Sequence, residues 1–177
     1  MNAFVNRMLR AAKLEPALYE EVEADKGAMG QAIGVVVLSS LAAGIGAISI
    51  HGGAGILIGT ITALIGWFVW AFLTYIIGTK LLPEPQTEAD YGQLLRTIGF
   101  SSSPGLIRVV GIVPGLTGII SLVAGVWMLV AMVIAVRQAL DYESTWRAVG
   151  VCVIGWVIQI LIIMLVYAAV GGGPQPA

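Results

Sequence analysis

The stretch AGILIGTITALIGWFVWAFLTYIIG, residues 54–78, decides the fold, because it holds no charged side chain over 25 positions. About 20 apolar residues in a helix cross a hydrocarbon core of about 30 Å, so this run predicts a transmembrane helix. Trp67, Trp70 and Tyr75 lie in its second half, which is typical of aromatic residues near a membrane interface.

Comparable apolar runs occur along the rest of the chain. We predict spans at about 29–50, 54–78, 97–113, 115–136 and 148–170. The chain is 58% hydrophobic and 11% charged, whereas ordinary domains have about 45–50% apolar and about 25% charged residues. A soluble domain of 177 residues could not bury that much apolar surface in one core. The sequence therefore predicts an all-α polytopic membrane bundle with five transmembrane helices, residues 28–170, which makes this an integral membrane protein.

The distribution of charge predicts the orientation. With five spans, eight of the nine Lys and Arg residues and all ten acids fall on one side, and the ninth base, Arg108, lies within a span. The positive-inside rule makes the populated side cytoplasmic, with the N-terminus inside and the C-terminus outside. The alternative is a re-entrant third segment, but it would place Arg137 and Arg147 outside. In a prokaryote the location would be the cytoplasmic (inner) membrane.

The N-terminal segment, residues 1–27, is predicted to be cytoplasmic and to begin with a short basic amphipathic helix. In AFVNRMLRAAKL, residues 3–14, the apolar residues share one arc, and Arg7, Arg10 and Lys13 lie on the opposite arc. Such a helix can lie among the headgroups of an anionic inner leaflet. The alternative is a helix docked on its own protein. At the other end of the chain, residues 171–177 are predicted to be disordered.

The third span contains the candidate functional residues. Pro104 removes one backbone hydrogen bond and frees the carbonyl of Phe100, which nearby serine hydroxyls could satisfy. The segment is either a polar element that bends or coordinates something, or a structural kink packed against its neighbours. Arg108 either reaches the outer interface or a carbonyl group, or contacts lipid phosphate or a ligand. The candidates in this segment are Ser101, Ser102, Ser103, Pro104 and Arg108.

Two other patterns concern packing. Thr87 and Asp90 resemble a capping box, so we expect a helix to begin near Glu88 and to lead into the third span. Gly30/Gly34, Gly55/Gly59 and Gly111/Gly115 have the G-x-x-x-G spacing, which indicates either tight intramolecular packing or a homo-oligomer contact.

No catalytic, cofactor or metal site is predicted. His51 is the sole histidine and Cys152 the sole cysteine, and there is no H-E-x-x-H, P-loop or dinucleotide motif. Cys152 is interpreted as a small buried hydrophobe. Nine bases spread along the chain do not indicate a nucleic-acid partner. We therefore expect a protein that is not an enzyme, with membrane lipids and a cytoplasmic protein as its partners.

The order of elements resembles the Yip family (Ypt/Rab-interacting membrane proteins), specifically its prokaryotic branch. The resemblance rests on LYEEVEADKG before the first span, on GFSSSPGLIRVVGIVPG, and on a glycine-rich span that contains Trp127 and ends in AVRQAL. It implies a five-helix membrane fold. Eukaryotic members bind prenylated Rab GTPases, but their Asp-Leu-Tyr-Gly-Pro motif is absent here, and Leu18-Tyr19-Glu20 is at best a remnant. Rab binding is not carried over.

The sequence thus supports two hypotheses of function. The first is a Yip-family membrane protein that recruits a partner at its cytoplasmic face or organises membrane lipid. The alternative is a small oligomeric transporter or channel that uses the polar, kinked third span.

Overall fold

The computed structural model describes residues 2–48 and 55–171, which contain helices and no strand. The predicted 51–53 turn, with His51, and the 172–177 part of the predicted tail lie outside the described residues. The helices are α1 (Ala3–Ala12), α2 (Pro16–Ala24), α3 (Met29–Gly46), α4 (Gly55–Ile76), α5 (Tyr91–Phe100), α6 (Thr117–Ala139) and α7 (Thr145–Gly171). A 3₁₀ turn, Lys26–Ala28, precedes α3, a π-helical turn, Ile77–Leu81, follows α4, and a 3₁₀ helix, Ser103–Ile112, follows α5.

Four described helices are long and apolar enough to cross a membrane: Lys26–Gly46, Ile56–Leu81, Thr117–Ala139 and Thr145–Ile162. They correspond to the first, second, fourth and fifth predicted spans. The predicted third span is not a continuous helix, so the expectation of one kinked helix over 97–113 is wrong. The chain turns at Ser101 and Ser102, because Pro104 lacks the N–H that would continue the hydrogen bonding of α5, and the following ten residues are 3₁₀-helical.

The start of α5 also differs from its prediction. Asp90 is the N-cap, and it forms a capping box with Gln93: Asp90 Oδ1 accepts from Gln93 N at 2.8 Å, and Gln93 Oε1 accepts from Asp90 N. Thr87 instead accepts a hydrogen bond from Glu84 N at 2.9 Å. The helix therefore begins at Tyr91 rather than near Glu88, because a carboxylate caps the free N–H groups of the first turn.

A seam of small residues joins α3 to α5 and to the Ser103–Ile112 helix. Successive positions along α3 meet successive positions along 99–111, so the two run side by side in the same direction. A Cβ atom added at any of three glycines would overlap its neighbour, which only close backbone approach produces. The pairs are Gly99 with Ala32, Gly105 with Ser39, and Gly46 with the Arg108 carbonyl.

The predicted G-x-x-x-G residues contribute only part of this packing. An added Cβ at Gly111 would lie 3.2 Å from a backbone atom of α3, and one at Gly34 would lie 3.4 Å from the Phe4 ring. At Gly30 and Gly59 it would meet nothing within 4 Å. Gly115 is needed for a different reason, since its φ of +87° is unfavourable for residues with a side chain.

The core is concentrated at one end of the bundle, where the 82–90 and 140–144 loops lie; we call this the charged end. Leu18, Tyr19 and Val22 of α2 are fully buried there against α5 and α6. The α2 helix begins with Pro16, which suits the first helical position because its missing N–H would be unpaired anyway. The N-terminal segment is therefore packed into the same core as the apolar helices.

Candidate functional site

An open cavity of about 950 Å³ lies between α3, α4, the Ser101–Arg108 region, α6 and α7. Most of its wall is apolar or aromatic, including Val36, Trp67, Met132 and Val133. Its polar groups are few, and they come from Ser39, Ser40, Ser102, Trp70, Arg108 and Gln159. A large apolar cavity with a few polar groups is the usual form of a binding site for a small or elongated ligand.

The cavity is polar at one end and apolar at the other. Gly125 lies fourteen residues before Ala139, the last residue of α6, and Gln159 lies fourteen residues after Thr145, the first residue of α7. Because the 140–144 loop joins these two helix ends, Gly125 and Gln159 lie at about the same distance from the charged end. Arg108 lines the same part of the wall, since the Gly105 backbone packs against Met128 of α6. From Gln159 to Val149, the wall extends about 15 Å towards the charged end at about 1.5 Å per residue.

Arg108 is half-buried in the cavity wall. Among the described residues, no carboxylate lies within 4.0 Å of its guanidinium, and no acceptor forms a hydrogen bond with it. The Trp70 indole N–H is buried and likewise has no hydrogen-bond partner in the part of the chain described. The Trp70 N–H has almost no accessible surface, so it is the guanidinium of Arg108, in the cavity lining, that offers donors to a ligand carrying acceptor oxygens.

The kink residues separate into two groups. The Ser101 hydroxyl donates to Ile98 O at 2.7 Å, so its acceptor is not the predicted Phe100 carbonyl. Ser102 lines the cavity with Arg108. Ser103 and Pro104 are buried on the other side of the segment, where they line an apolar groove of about 220 Å³ beneath α1. Of the predicted kink residues, only Ser102 and Arg108 share the large cavity.

The bases of α1 contact carboxylates rather than free solvent. Arg7 pairs with Glu21 and Asp25, each at 2.8 Å, and Arg10 also pairs with Glu21. These two arginines hold the pKa of the Glu21 carboxyl below its usual value by direct hydrogen bonds. Lys13 is exposed and has no carboxylate within 4.0 Å among the described residues. The ion pairs favour the docked alternative for α1.

The apolar face of α1 is engaged in the same way. The Trp127 indole of α6 donates to Ala12 O at 2.8 Å, and the Phe4 ring lies close to Gly34 of α3. Val5 and Leu9 remain exposed at 42% and 46%. Only a narrow apolar strip of this helix is therefore free to meet lipid.

The sequence patterns did not single out Arg96 as a residue with a structural role. Its side chain is 5% exposed and donates to two carbonyls of the last turn of α2, Val22 O at 2.9 Å and Glu23 O. Helix C-terminal carbonyls lack partners within the helix and carry partial negative charge. Arg96 therefore ties α2 to α5, which no local sequence pattern indicates.

Acidic side chains gather around Glu23 at the charged end. Burial raises the pKa of the Glu23 carboxyl to about 7, with further repulsion from Asp141 and Glu20. Burial also raises the pKa of Asp141, to which Glu88 and Glu20 add repulsion. Within the described residues no group of three or more His, Cys, Asp or Glu side chains could hold a metal ion. The acids thus form a charged surface whose members repel one another.

The bundle and its cavity define the chain as a multi-pass, membrane-embedded helical protein. The Yip1 domain model matches residues 19–167, which is most of the chain. The protein therefore belongs to the Yip1-domain family, as its sequence suggested. No curated protein and no solved structure gives a significant match.

Proposed function

We propose that this chain is a non-enzymatic membrane protein that organises bilayer lipid by holding an acyl chain in its cavity. The observation that carries the proposal is the cavity itself, about 950 Å³ with a largely apolar wall. At about 30 Å³ per water molecule, it has room for about 30 water-sized groups, enough for an acyl chain of ordinary length. Inside a bilayer, lipid is the molecule at hand to fill such a space.

The wall offers a route of entry from the lipid phase. Leu129 of α6 and Val153 and Trp156 of α7 line the cavity and are each more than half exposed, so the cavity wall is not closed along these two helices. The cavity therefore opens sideways between α6 and α7. A lateral opening suits a chain that enters from the membrane, and it differs from the axial path that a pore needs.

The proposal includes five crossings, with the N-terminus cytoplasmic and the C-terminus outside. Helix α5 and the Ser103–Ile112 helix have ten residues each, which together reach about 35 Å at about 1.5 and 2.0 Å per residue. Their parallel alignment with α3 supports a crossing in two parts. The one-sided distribution of bases supports the orientation, and the family's prokaryotic branch would place the protein in the inner membrane.

Lipid crosslinking tests the proposal directly. The full chain is reconstituted in phosphatidylcholine vesicles that contain a lipid with a photoreactive acyl chain, irradiated, and analysed by peptide mass spectrometry. We expect adducts on cavity residues such as Met132, Val149 and Cys152, as well as on outer positions such as Leu122. Adducts on the outer surface alone would contradict the proposal.

Two glycines allow the cavity to be filled selectively. Gly66 and Gly125 line the cavity, and an added Cβ at either would meet nothing within 4 Å. Gly66→Leu and Gly125→Leu should therefore remove the cavity adducts. Gly59 and Gly118 lie on the same two helices, are equally open and do not line the cavity, so Gly59→Leu and Gly118→Leu are matched controls. Equal adducts in both pairs would also overturn the proposal.

A second function, recruitment of a protein partner, is favoured by the acidic surface of Glu20, Glu23 and Asp141 at the charged end. Crosslinking from Glu88 or Lys13 in native membranes would identify such a partner.

The transporter hypothesis requires that ions or small solutes cross the membrane of liposomes containing the protein, at a rate that depends on Arg108. If no ion or small solute crosses, the hypothesis is wrong.

A further inference from the structure

This inference rests on the proposed lipid site and names the chemistry of its occupant. We infer that the cavity holds an anionic glycerophospholipid, with its phosphate paired to Arg108 and one acyl chain directed towards the charged end. A neutral acyl chain would fill the space but would add no acceptor for the guanidinium, which forms no hydrogen bond with residues 2–48 or 55–171. A phosphate diester supplies both the negative charge and the oxygens that guanidinium donors match in a two-point pair.

The position of Arg108 fits a headgroup contact. Four residues separate it from Ile112, the last residue of its 3₁₀ helix, which is about 8 Å at about 2.0 Å per residue. It lies beside Gly46, the last residue of α3. The Arg108 backbone therefore lies in the half of the bundle away from the charged end, from which a long arginine side chain can extend towards the headgroup layer.

The rest of the wall suits an acyl chain. Gln159 stands near Arg108 at the polar end. The Trp70 ring lies against Gly155, about 6 Å farther along α7 at about 1.5 Å per residue, and adds apolar surface to the wall. Beyond it, Met132, Val133 and Val149 form an apolar end. A lipid bound with its phosphate at Arg108 buries its acyl chain along this wall.

Native mass spectrometry of the detergent-purified full chain tests the headgroup. The protein is titrated with phosphatidylglycerol or phosphatidylcholine of identical acyl chains; both carry a phosphate diester, but only phosphatidylglycerol has a net negative charge, since the choline cation neutralises the other. We expect phosphatidylglycerol to bind about tenfold more tightly or better, as a hydrogen-bonded charge pair predicts. Arg108→Gln should remove the preference, and Arg108→Lys should retain part of it. Arg147→Gln, which removes a surface charge, should leave it unchanged.

The outcomes separate the headgroup inference from the lipid site. If both lipids bind equally, if Arg108→Gln binds them as tightly as the wild type, and if Gly125→Leu displaces both, the acyl site stands and the role of Arg108 is overturned. If neither lipid binds, both proposals fall. An Arg108→Gln variant that loses helical content on circular dichroism is replaced by Arg108→Lys, which must still favour phosphatidylglycerol. Inorganic phosphate that displaces the lipid at similar concentration would overturn the inference in favour of a free-anion site.

Discussion

Arg96→Gln is expected to release α2 from the core of the bundle. The arginine side chain is almost fully buried and donates to two carbonyls at the C-terminal end of that helix, Val22 O and Glu23 O. Glutamine is shorter and neutral, so it cannot reach both acceptors. The substitution therefore removes the main polar contact between α2 and α5.

The magnitude follows from the two hydrogen bonds. A hydrogen bond to a charged group contributes about 1.5–3 kcal/mol, so two could contribute up to about 6 kcal/mol. Removing a buried charge also relieves its desolvation cost, which lowers the expected loss of local stability to about 2–3 kcal/mol. At about 1.4 kcal/mol per factor of ten, amide exchange across residues 16–24 should accelerate by about 30-fold or more.

Hydrogen–deuterium exchange of the detergent-solubilised protein measures this locally, peptide by peptide. Arg147→Gln is the control, because that side chain contacts Glu84 and Pro83 O, neither of which belongs to α2 or α5. Arg96→Lys should give an intermediate rate, since lysine keeps the charge but lacks the fork that reaches two carbonyls. Exchange in 16–24 that stays at the wild-type rate in Arg96→Gln would refute the argument.

Three further substitutions have defined outcomes. The pKa of Glu23 is raised, so the folded chain binds more protons than the unfolded chain between about pH 4.5 and 7, and its stability falls as pH rises through that window. Glu23→Gln removes this penalty. After a discount for partial exposure, thermal melts should show the variant to be more stable by about 1 kcal/mol at pH 8 and by very little at pH 4. Gly46→Ala should destabilise by about 3 kcal/mol, because its Cβ would overlap the Arg108 carbonyl, while Gly59→Ala, which meets nothing within 4 Å, should leave the melting temperature unchanged or higher. Glu21→Gln should lower the free energy of local opening of α1 by about 1 kcal/mol or less. Amide exchange in residues 3–12 should become faster, and added salt should have the same effect on the wild type.

The long helices were predictable from sequence because apolar runs without charge have one stable environment. The 54–78 run became Gly55–Ile76 with its π-helical extension, and four of the five predicted spans have corresponding long helices. The third predicted span, residues 97–113, differs from its prediction because hydropathy does not distinguish an α-helix from a 3₁₀ helix. The backbone geometry around Pro104 depends on how closely α3 approaches it, which is a tertiary property.

The candidate site was predictable only in part. Arg108 could be singled out as a charge inside a span, and the structure places it in the cavity wall with Ser102. Trp70 and Ser39 could not be singled out, because apolar helices contain such residues on every face and only the assembled bundle shows which face encloses space. Arg96 was missed for a similar reason: its acceptors lie more than seventy residues away in sequence.

The burial of α2 has a consequence for biogenesis. This helix leaves the ribosome before any of the apolar helices, yet the surfaces that cover it belong to α5 and α6, and its contacts reach Arg96 and Gln138. Leu18, Tyr19 and Val22 therefore remain exposed until α5 and α6 have been synthesised and inserted. Contacts between segments so far apart in sequence form slowly. Docking of α2 should therefore be among the last steps in the assembly of the bundle.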